Sequence, residues 1–260
     1  MSGRLRRALK ARREKILGIV PRDLSYMVPR DHWQDDREFR HRRKVVTGVS
    51  VAGAGLLGVS LSTKPASTEF YGLTLAVAAT WTAGALGSGP LHLGWIEYRD
   101  SSVRRPVIVP VATGVAAFGF FYASALVCRQ IPVLDRAISK VLAYADQGSG
   151  PLVTLTTFAN GAAEEVFFRG ALYAAVGQDH PVLKSTAVYT LATAATRNPA
   201  LVLAGGFMGG LFALQRRATG GIQAPLLTHL TWSGLMLRYL PPLFRDDGET
   251  HVHGDSQGTA

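Results

Sequence analysis

Apolar residues are gathered into seven runs along the chain, and polar stretches lie before the first run and after the last one. A helix needs about 20 apolar residues to cross the hydrocarbon layer of a membrane, and most of the runs approach that length. Gly and Ala are frequent within them, which is typical of helices that pack closely inside a bilayer. The pattern predicts an all-α polytopic membrane helical bundle of about seven transmembrane helices, at residues 45–61, 70–96, 106–128, 151–176, 186–195, 200–214 and 222–240.

The run at residues 186–195 is the shortest of the seven and is rich in Thr, so a tilted span, a re-entrant segment or a buried helix is also compatible with it. Charge favours a full crossing. The first 44 residues contain 14 Lys and Arg against 6 Asp and Glu, and because basic flanks stay cytoplasmic, the N-terminus is predicted to be cytoplasmic. Seven crossings then keep Arg216-Arg217 inside, whereas six would move this pair to the outer side.

The chain is expected to have three parts: a cytosolic basic segment (1–44), a transmembrane domain (45–243) and a polar tail (244–260). Within the domain, residues 129–149 place their apolar positions on one helical face, which predicts an interfacial helix on the outer side. The net charge is +10, and the basic segment is expected to contact anionic membrane lipid, not nucleic acid. The single cysteine, Cys128, excludes an internal disulfide and a cysteine-rich metal site.

Three ionisable residues, Glu164, Glu165 and Arg169, lie inside the fourth apolar run. Each such group costs roughly 2.5–3.5 kcal/mol at the centre of a membrane helix, so the cluster is expected to face a protein interior or a wet cavity. At about 100° per residue, Glu165 and Arg169 share a helical face and can form an ion pair, while Glu164 shares its face with Asn160. The spacing therefore predicts a free carboxylate on Glu164, oriented by Asn160 and able to act as a general base towards water. The alternative is an ion lattice that only joins helices.

The last apolar run contains a second polar site. Pro225 suits the first turn of a helix, and His229 and Ser233 then lie one turn apart on the same face. An imidazole with a hydroxyl one turn further along is able to bind a developing oxyanion. The alternative is a histidine whose ring is satisfied by a neighbouring carbonyl.

These motifs resemble the CAAX protease and bacteriocin-processing (CPBP) family of intramembrane metalloproteases, over about residues 150–240. The resemblance rests on Glu164-Glu165-x-x-x-Arg169-Gly170, the glycine-bounded stretch 209–220 and Ala224-Pro225-x-x-x-His229. It implies a core with the helical fold of that family. It further implies that Glu164 activates the attacking water, with Glu165 and Arg169 in support.

Two other motifs of the family are present here in altered form. The Phe-x-x-x-His motif, whose His helps to hold the water or a metal, corresponds to Tyr189-x-x-x-Thr193, so Thr193 replaces the His. The His-x-x-x-Asn/Asp motif, which lines the oxyanion site, corresponds to His229-x-x-x-Ser233. The resemblance thus assigns Thr193 and Ser233 to the site as substitutes.

The same substitutions bear on a metal cofactor. A hydroxyl at Thr193 is a poor metal ligand beside an imidazole. Glu164, His229 and Glu165 then fall short of the three ligands plus water that a catalytic zinc usually has. A metal-free water activated by Glu164 is the more economical expectation, and a divalent metal is the alternative, with His92 as a further source of an imidazole.

The predicted function is that of an intramembrane endopeptidase of the CAAX protease type in the cell membrane, acting on a membrane-associated peptide or protein. One alternative is a catalytically inactive family member that acts as a membrane scaffold or immunity-type binding protein. A second is a small transporter that uses Glu164 in a proton or ion path, which the absence of an internal repeat disfavours. The abundance of Gly, Ala and Arg is typical of a GC-rich bacterial source, and the substrate is not named by the sequence.

Overall fold

The computed structural model describes residues 34–97, 102–177 and 179–244. Its α-helices are α1 (Asp36–Ser60), α2 (Thr68–Gly87), α3 (Ile108–Cys128), α4 (Pro132–Asp146), α5 (Gly150–Glu164), α6 (Tyr173–Ala175), α7 (Pro181–Ala194), α8 (Pro199–Thr219) and α9 (Gln223–Tyr239). A π-helix (Glu165–Leu172) joins α5 to α6, and a 3-10 turn (Pro241–Phe244) follows α9. Two short antiparallel strands, β1 (Ile96–Glu97) and β2 (Val103–Arg104), lie between α2 and α3.

Each of the seven predicted apolar runs contains a helix, so the all-α class is confirmed. Two helices of the described ranges, α2 and α3, are long and apolar enough to cross a membrane. The seven crossings and the interfacial position of α4 stay predictions. Most of the predicted basic segment and all but the first residue of the polar tail lie outside the described residues.

The second apolar run is not helical over its whole length. α2 ends at Gly87, because the next residues include Pro90 and two glycines with positive φ, Gly89 at 129° and Gly94 at 84°. The extended chain that follows pairs with the connection between α8 and α9 through three backbone hydrogen bonds of 2.8–2.9 Å, Trp95 N to Thr219 O, Ile222 N to His92 O and Gln223 N to Leu93 O. A Cβ on Gly94 would lie 2.6 Å from the Gly221 nitrogen, so this contact requires glycine. The prediction of a membrane helix reaching residue 96 is wrong.

α1 begins nine residues before its apolar run. Asp35 caps it, since its Oδ1 accepts from the Glu38 backbone N–H at 2.7 Å and its own N–H donates to Glu38 Oε2 at 3.1 Å. Arg42, in the first half of the helix, is only 1% exposed. Its guanidinium donates to Ser88 Oγ at 3.2 Å and to the Pro90 carbonyl at 2.9 Å, which ties α1 to the end of α2.

The core lies where α2 packs against the π-helix. Trp81 is fully buried, and its ring centroid lies 4.7 Å from that of Phe167 and 4.9 Å from that of Phe168. α5 and α9 flank this contact, and α7 and α8 pack against each other beside it. The π-helix therefore occupies the centre of the bundle, and its side chains are enclosed by other helices.

Large apolar side chains also cover the outside of the bundle. Ile108 on α3 is 76% exposed, Val51 on α1 is 73% exposed, and Leu191 on α7 is 71% exposed. Extensive exposed apolar surface requires an apolar environment or a partner. A bilayer supplies that environment for helices of this composition.

Candidate active site

The segment that carries the acidic cluster changes its hydrogen-bonding pattern at that cluster. α5 ends at Glu164, and the chain continues as a π-helix from Glu165 to Leu172. π-Helical turns are rare and often lie at functional sites. The junction falls between the two glutamates, so Glu164 belongs to the α-helix and Glu165 to the wider turn.

Glu165 and Arg169 form the ion pair that the helical spacing predicts. Arg169 Nη1 lies 3.3 Å from Glu165 Oε1, and the two side chains are 1% and 0% exposed. Arg169 Nη2 also donates to the Gly209 carbonyl at 3.1 Å. Its Cζ lies 4.4 Å from the ring centroid of Tyr189 and 5.0 Å from that of Phe212. The guanidinium thus joins the π-helix to α7 and α8.

His229 on α9 binds the same carboxylate. Its Nδ1 lies 2.8 Å from Glu165 Oε1, the oxygen that also faces Arg169. An ionised carboxylate only accepts hydrogen bonds, so Nδ1 carries the hydrogen and Nε2 points to the other side of the ring. On that side, a Cβ on Gly161 would lie 3.6 Å from Nε2. Phe212 stacks on the face of the imidazole, with ring centroids 4.8 Å apart and an angle of 21° between the ring planes. Glu165 therefore fixes both the tautomer and the orientation of His229.

Glu164 is held by a residue that the sequence did not assign to it. The Tyr189 hydroxyl donates to Glu164 Oε2 at 2.6 Å. Asn160, which was predicted to orient this carboxylate, instead donates through Nδ2 to the carbonyls of Thr74 at 3.0 Å and Thr156 at 2.9 Å. That prediction is wrong, because the amide of Asn160 is engaged in tying α5 to α2.

Thr193 lies one turn beyond Tyr189 on α7, and its hydroxyl does not reach the carboxylates. Thr193 Oγ1 donates to the Tyr189 carbonyl at 2.9 Å, and a Cβ on Gly205 would lie 3.1 Å from it. Back-bonding to the preceding turn is the usual fate of a threonine hydroxyl within a helix. From α7, it is Tyr189 that contacts Glu164.

Ser233 lies one turn after His229 and is 9% exposed. Together with Trp232 it lines an apolar cavity of about 550 Å³, formed mainly by α3, α4, α5, α8 and α9 and open to the outside of the bundle beside Leu203 and Phe207. Of the predicted site residues, only Ser233 lines this cavity. The polar cluster and the cavity are therefore neighbouring features of the bundle, joined at the His229–Ser233 turn.

Two further residues of the site were not predicted from the sequence. Tyr189 stands at the Phe position of the family motif, and its added hydroxyl is the feature that could have identified it. Arg216, which was predicted to lie at a cytoplasmic turn, is 7% exposed within α8. Its Nε donates to the Arg169 carbonyl at 2.6 Å, and its Cζ lies 5.1 Å from the Tyr173 ring. No periodicity in the sequence separates Arg216 from the exposed Arg217 beside it.

The chemistry of this donor set does not fit a catalytic zinc. Glu165 is engaged with Arg169 and His229, and Thr193 with its own helix. This leaves the Glu164 carboxylate and one imidazole nitrogen, fewer than the three protein ligands that such a site needs. In the described ranges no group of three or more His, Cys, Asp or Glu side chains is arranged to hold a metal ion.

The arrangement is suited to proton transfer. The charged and titratable groups that face Glu164 are Glu165, Arg169, His229 and Tyr189. Two carboxylates, an imidazole and a phenol therefore meet beside one guanidinium, so groups that accept and donate protons are neighbours in a single cluster.

Comparison with protein families finds one match within the chain. Residues 147–235, about a third of the sequence, match the family of type II CAAX prenyl endopeptidase Rce1-like proteins. No curated protein and no solved structure matches. The matched segment begins three residues before α5, ends within α9 and contains Glu164, Glu165, Arg169, Tyr189 and His229. Over this segment the chain is similar to the CAAX protease family.

Proposed function

We propose that this protein is an intramembrane endopeptidase of the CAAX protease type that hydrolyses a peptide bond with a water activated by Glu164. The observation that carries the proposal is that the two adjacent carboxylates have different partners. Glu165 is neutralised by Arg169 and bound by His229, whereas among the described residues Glu164 has a single side-chain donor, the Tyr189 hydroxyl on Oε2. A carboxylate without a paired cation, in a shielded site, is suited to general-base chemistry.

In the proposed reaction, a water hydrogen-bonded to Glu164 attacks the substrate carbonyl carbon. Its oxygen forms the new C–O bond while Glu164 accepts its proton. The proton then passes to the amide nitrogen as the C–N bond breaks, which releases a carboxylic acid and an amine. Negative charge develops on the carbonyl oxygen, and a protonated His229 Nε2, with Ser233, is the proposed donor to it.

The membrane setting of this proposal is a multi-pass protein of the cell membrane with a cytoplasmic N-terminus. Two helices of sufficient length and apolarity, together with the apolar outer surface, support immersion in lipid. The apolar cavity beside Ser233 supports a membrane-associated peptide or protein as the substrate. An extended apolar segment entering that cavity would bring its neighbouring backbone towards His229.

The test is cleavage of quenched membrane peptides by the purified full chain in proteoliposomes. Glu164→Gln is expected to abolish cleavage, because the neutral amide cannot accept the proton of water. Glu69→Gln, at an exposed position in the first turn of α2, is the matched control and is expected to cleave like the wild type. Cleavage that survives Glu164→Gln would refute the proposed base.

A second candidate function is that of a catalytically silent family member acting as a membrane scaffold or immunity-type binding protein. The observation that favours it is Thr193, whose hydroxyl bonds its own helix where the family motif has a histidine. The same assay separates the two candidates. An intact wild-type protein that cleaves no peptide in the library would favour the silent member.

A further inference from the structure

Tyr189 is unusually well constrained for a tyrosine of a helix surface. It is 8% exposed, and its hydroxyl lies 2.6 Å from Glu164 Oε2. Phe168 meets the ring edge-on with centroids 4.8 Å apart, and the Arg169 guanidinium lies over its face at 4.4 Å. A Cβ on Gly209 would lie 2.9 Å from Tyr189 Cδ1, so the absence of a side chain at position 209 makes room for the ring. The ring is therefore held from the π-helix and from α8.

The hydroxyl, and not the ring, is what joins Tyr189 to the chemistry. A phenylalanine would make the same contacts with Phe168 and Arg169, but it would leave Glu164 without this donor. A hydrogen bond from a hydroxyl to an ionised carboxylate is short and strong, as this one is. In the described ranges it is the only side-chain hydrogen bond made by Glu164.

The contact also distinguishes the two carboxylate oxygens. Tyr189 donates to Oε2, so the proposed reaction assigns the attacking water to Oε1. Arg169 forms an ion pair with Glu165 and lies over the ring of Tyr189, the residue that donates to Glu164. One cation thus organises both glutamates, Glu165 directly and Glu164 through the tyrosine.

We propose that Tyr189 is the positioning residue for Glu164: its hydroxyl orients the carboxylate and favours the ionised form that accepts a proton from water. This inference rests on the proposed function for its consequence in catalysis, but the interaction itself can be tested without catalysis. The groups facing Glu164 are Glu165 and Arg169 on the π-helix, His229 on α9 and Tyr189 on α7. Of these four, Tyr189 is the one that donates a hydrogen bond to Glu164.

The first arm of the test measures activity of the full chain. Tyr189→Phe removes the hydroxyl and keeps the ring, and is expected to lower kcat about ten- to hundredfold, in keeping with loss of a hydrogen bond to a charged group. KM is expected to change by less than about twofold, because the hydroxyl faces the base and not the proposed substrate cavity. The acidic limb of the pH profile is expected to move to higher pH.

The second arm measures Glu164 itself. Dicyclohexylcarbodiimide is an apolar reagent that modifies protonated carboxyl groups, and mass spectrometry can follow its addition to Glu164 as pH is varied. Tyr189→Phe is expected to be modified faster than the wild type and up to a higher pH. Thr190→Val is the matched control, since it removes a hydroxyl of the same helix that donates to the Thr186 carbonyl at 2.9 Å and not to Glu164.

The two arms separate the two proposals. If the wild type cleaves nothing but Tyr189→Phe still shifts the labelling of Glu164, the proposed function fails and the positioning role of Tyr189 holds. The inference is overturned if Tyr189→Phe is labelled at Glu164 like the wild type and like Thr190→Val. Where the wild type cleaves peptides, unchanged cleavage by Tyr189→Phe would be part of the same result, because the hydroxyl would then not act on Glu164. Thermal unfolding of each variant verifies that the fold is retained.

Discussion

Replacing Arg169 by methionine is expected to destabilise the protein severely while leaving its shape nearly unchanged. The side chain is 1% exposed and faces Glu165, which is 0% exposed. Arg169→Met would leave that carboxylate with only His229 as a partner, and removing one member of a buried ion pair costs about 3–5 kcal/mol. The Gly209 carbonyl would also lose its donor at 3.1 Å, and we include this loss in the same range. Methionine still fills the space between Tyr189 and Phe212, so no cavity adds to the cost.

The measurement is the free energy of unfolding in mild detergent, obtained by titration with a denaturing detergent. Arg217→Met is the matched control, because it is the same substitution at an exposed position of α8, where a change within about 0.5 kcal/mol is expected. The double variant Glu165→Gln/Arg169→Met is expected to recover part of the loss, because position 165 then no longer buries a charge that has lost its cation.

Two results would contradict this reasoning. A loss below about 1 kcal/mol for Arg169→Met would mean that Glu165 is not the buried, charged partner that the geometry indicates. A double variant less stable than Arg169→Met alone would mean that the carboxylate contributes through its bond to His229 and not through its charge. Either outcome would require a different protonation state at the centre of the bundle.

Three further predictions concern the rest of the site and the core. Chelation of divalent metals from stringently purified protein is expected to leave peptide cleavage unchanged, because the donor set falls short of a catalytic zinc site; loss of activity that added zinc restores would refute this. Thr193→His is expected to give no gain in cleavage, since position 193 packs on Gly205 and Tyr189 already holds the base; a clear gain in kcat would show a degenerate site. Gly53→Ala is expected to lower stability by about 1–3 kcal/mol in the same unfolding assay, because the new Cβ would lie within 2.6 Å of the Trp81 ring; unchanged stability would contradict this close packing.

Much of the fold was predictable because runs of apolar residues indicate the helices of a bundle. All seven runs contain helices, and the amphipathic segment 129–149 contains α4. The helix that was extended too far, α2, ends where Gly89 and Gly94 take positive φ values. Such glycines are visible in a sequence, but the backbone pairing that uses them, across to residues 219–223, depends on distant parts of the chain.

The candidate site was predicted in part. Local spacing was sufficient for the Glu165–Arg169 pair, because both residues lie on one helical segment and neighbours four apart meet on its surface. It failed for Asn160, which also shares a face with Glu164, because the carbonyl of Thr74 on another helix competes for its amide. The spacing along one helix predicts which of its own residues can be in contact. It does not predict which groups of other helices bind to them.

By itself, the sequence determined that this protein is a helical bundle of apolar runs, with an acidic cluster in one run and a histidine in another. Only the tertiary structure decided how these groups are shared: His229 and Arg169 both bind Glu165, and Tyr189 binds Glu164. The reason is physical, since hydrophobic periodicity is a property of each helix taken alone. The direction of a hydrogen bond between helices depends on their packing, here around a π-helical turn at Glu165–Leu172 that no periodicity in the sequence indicates.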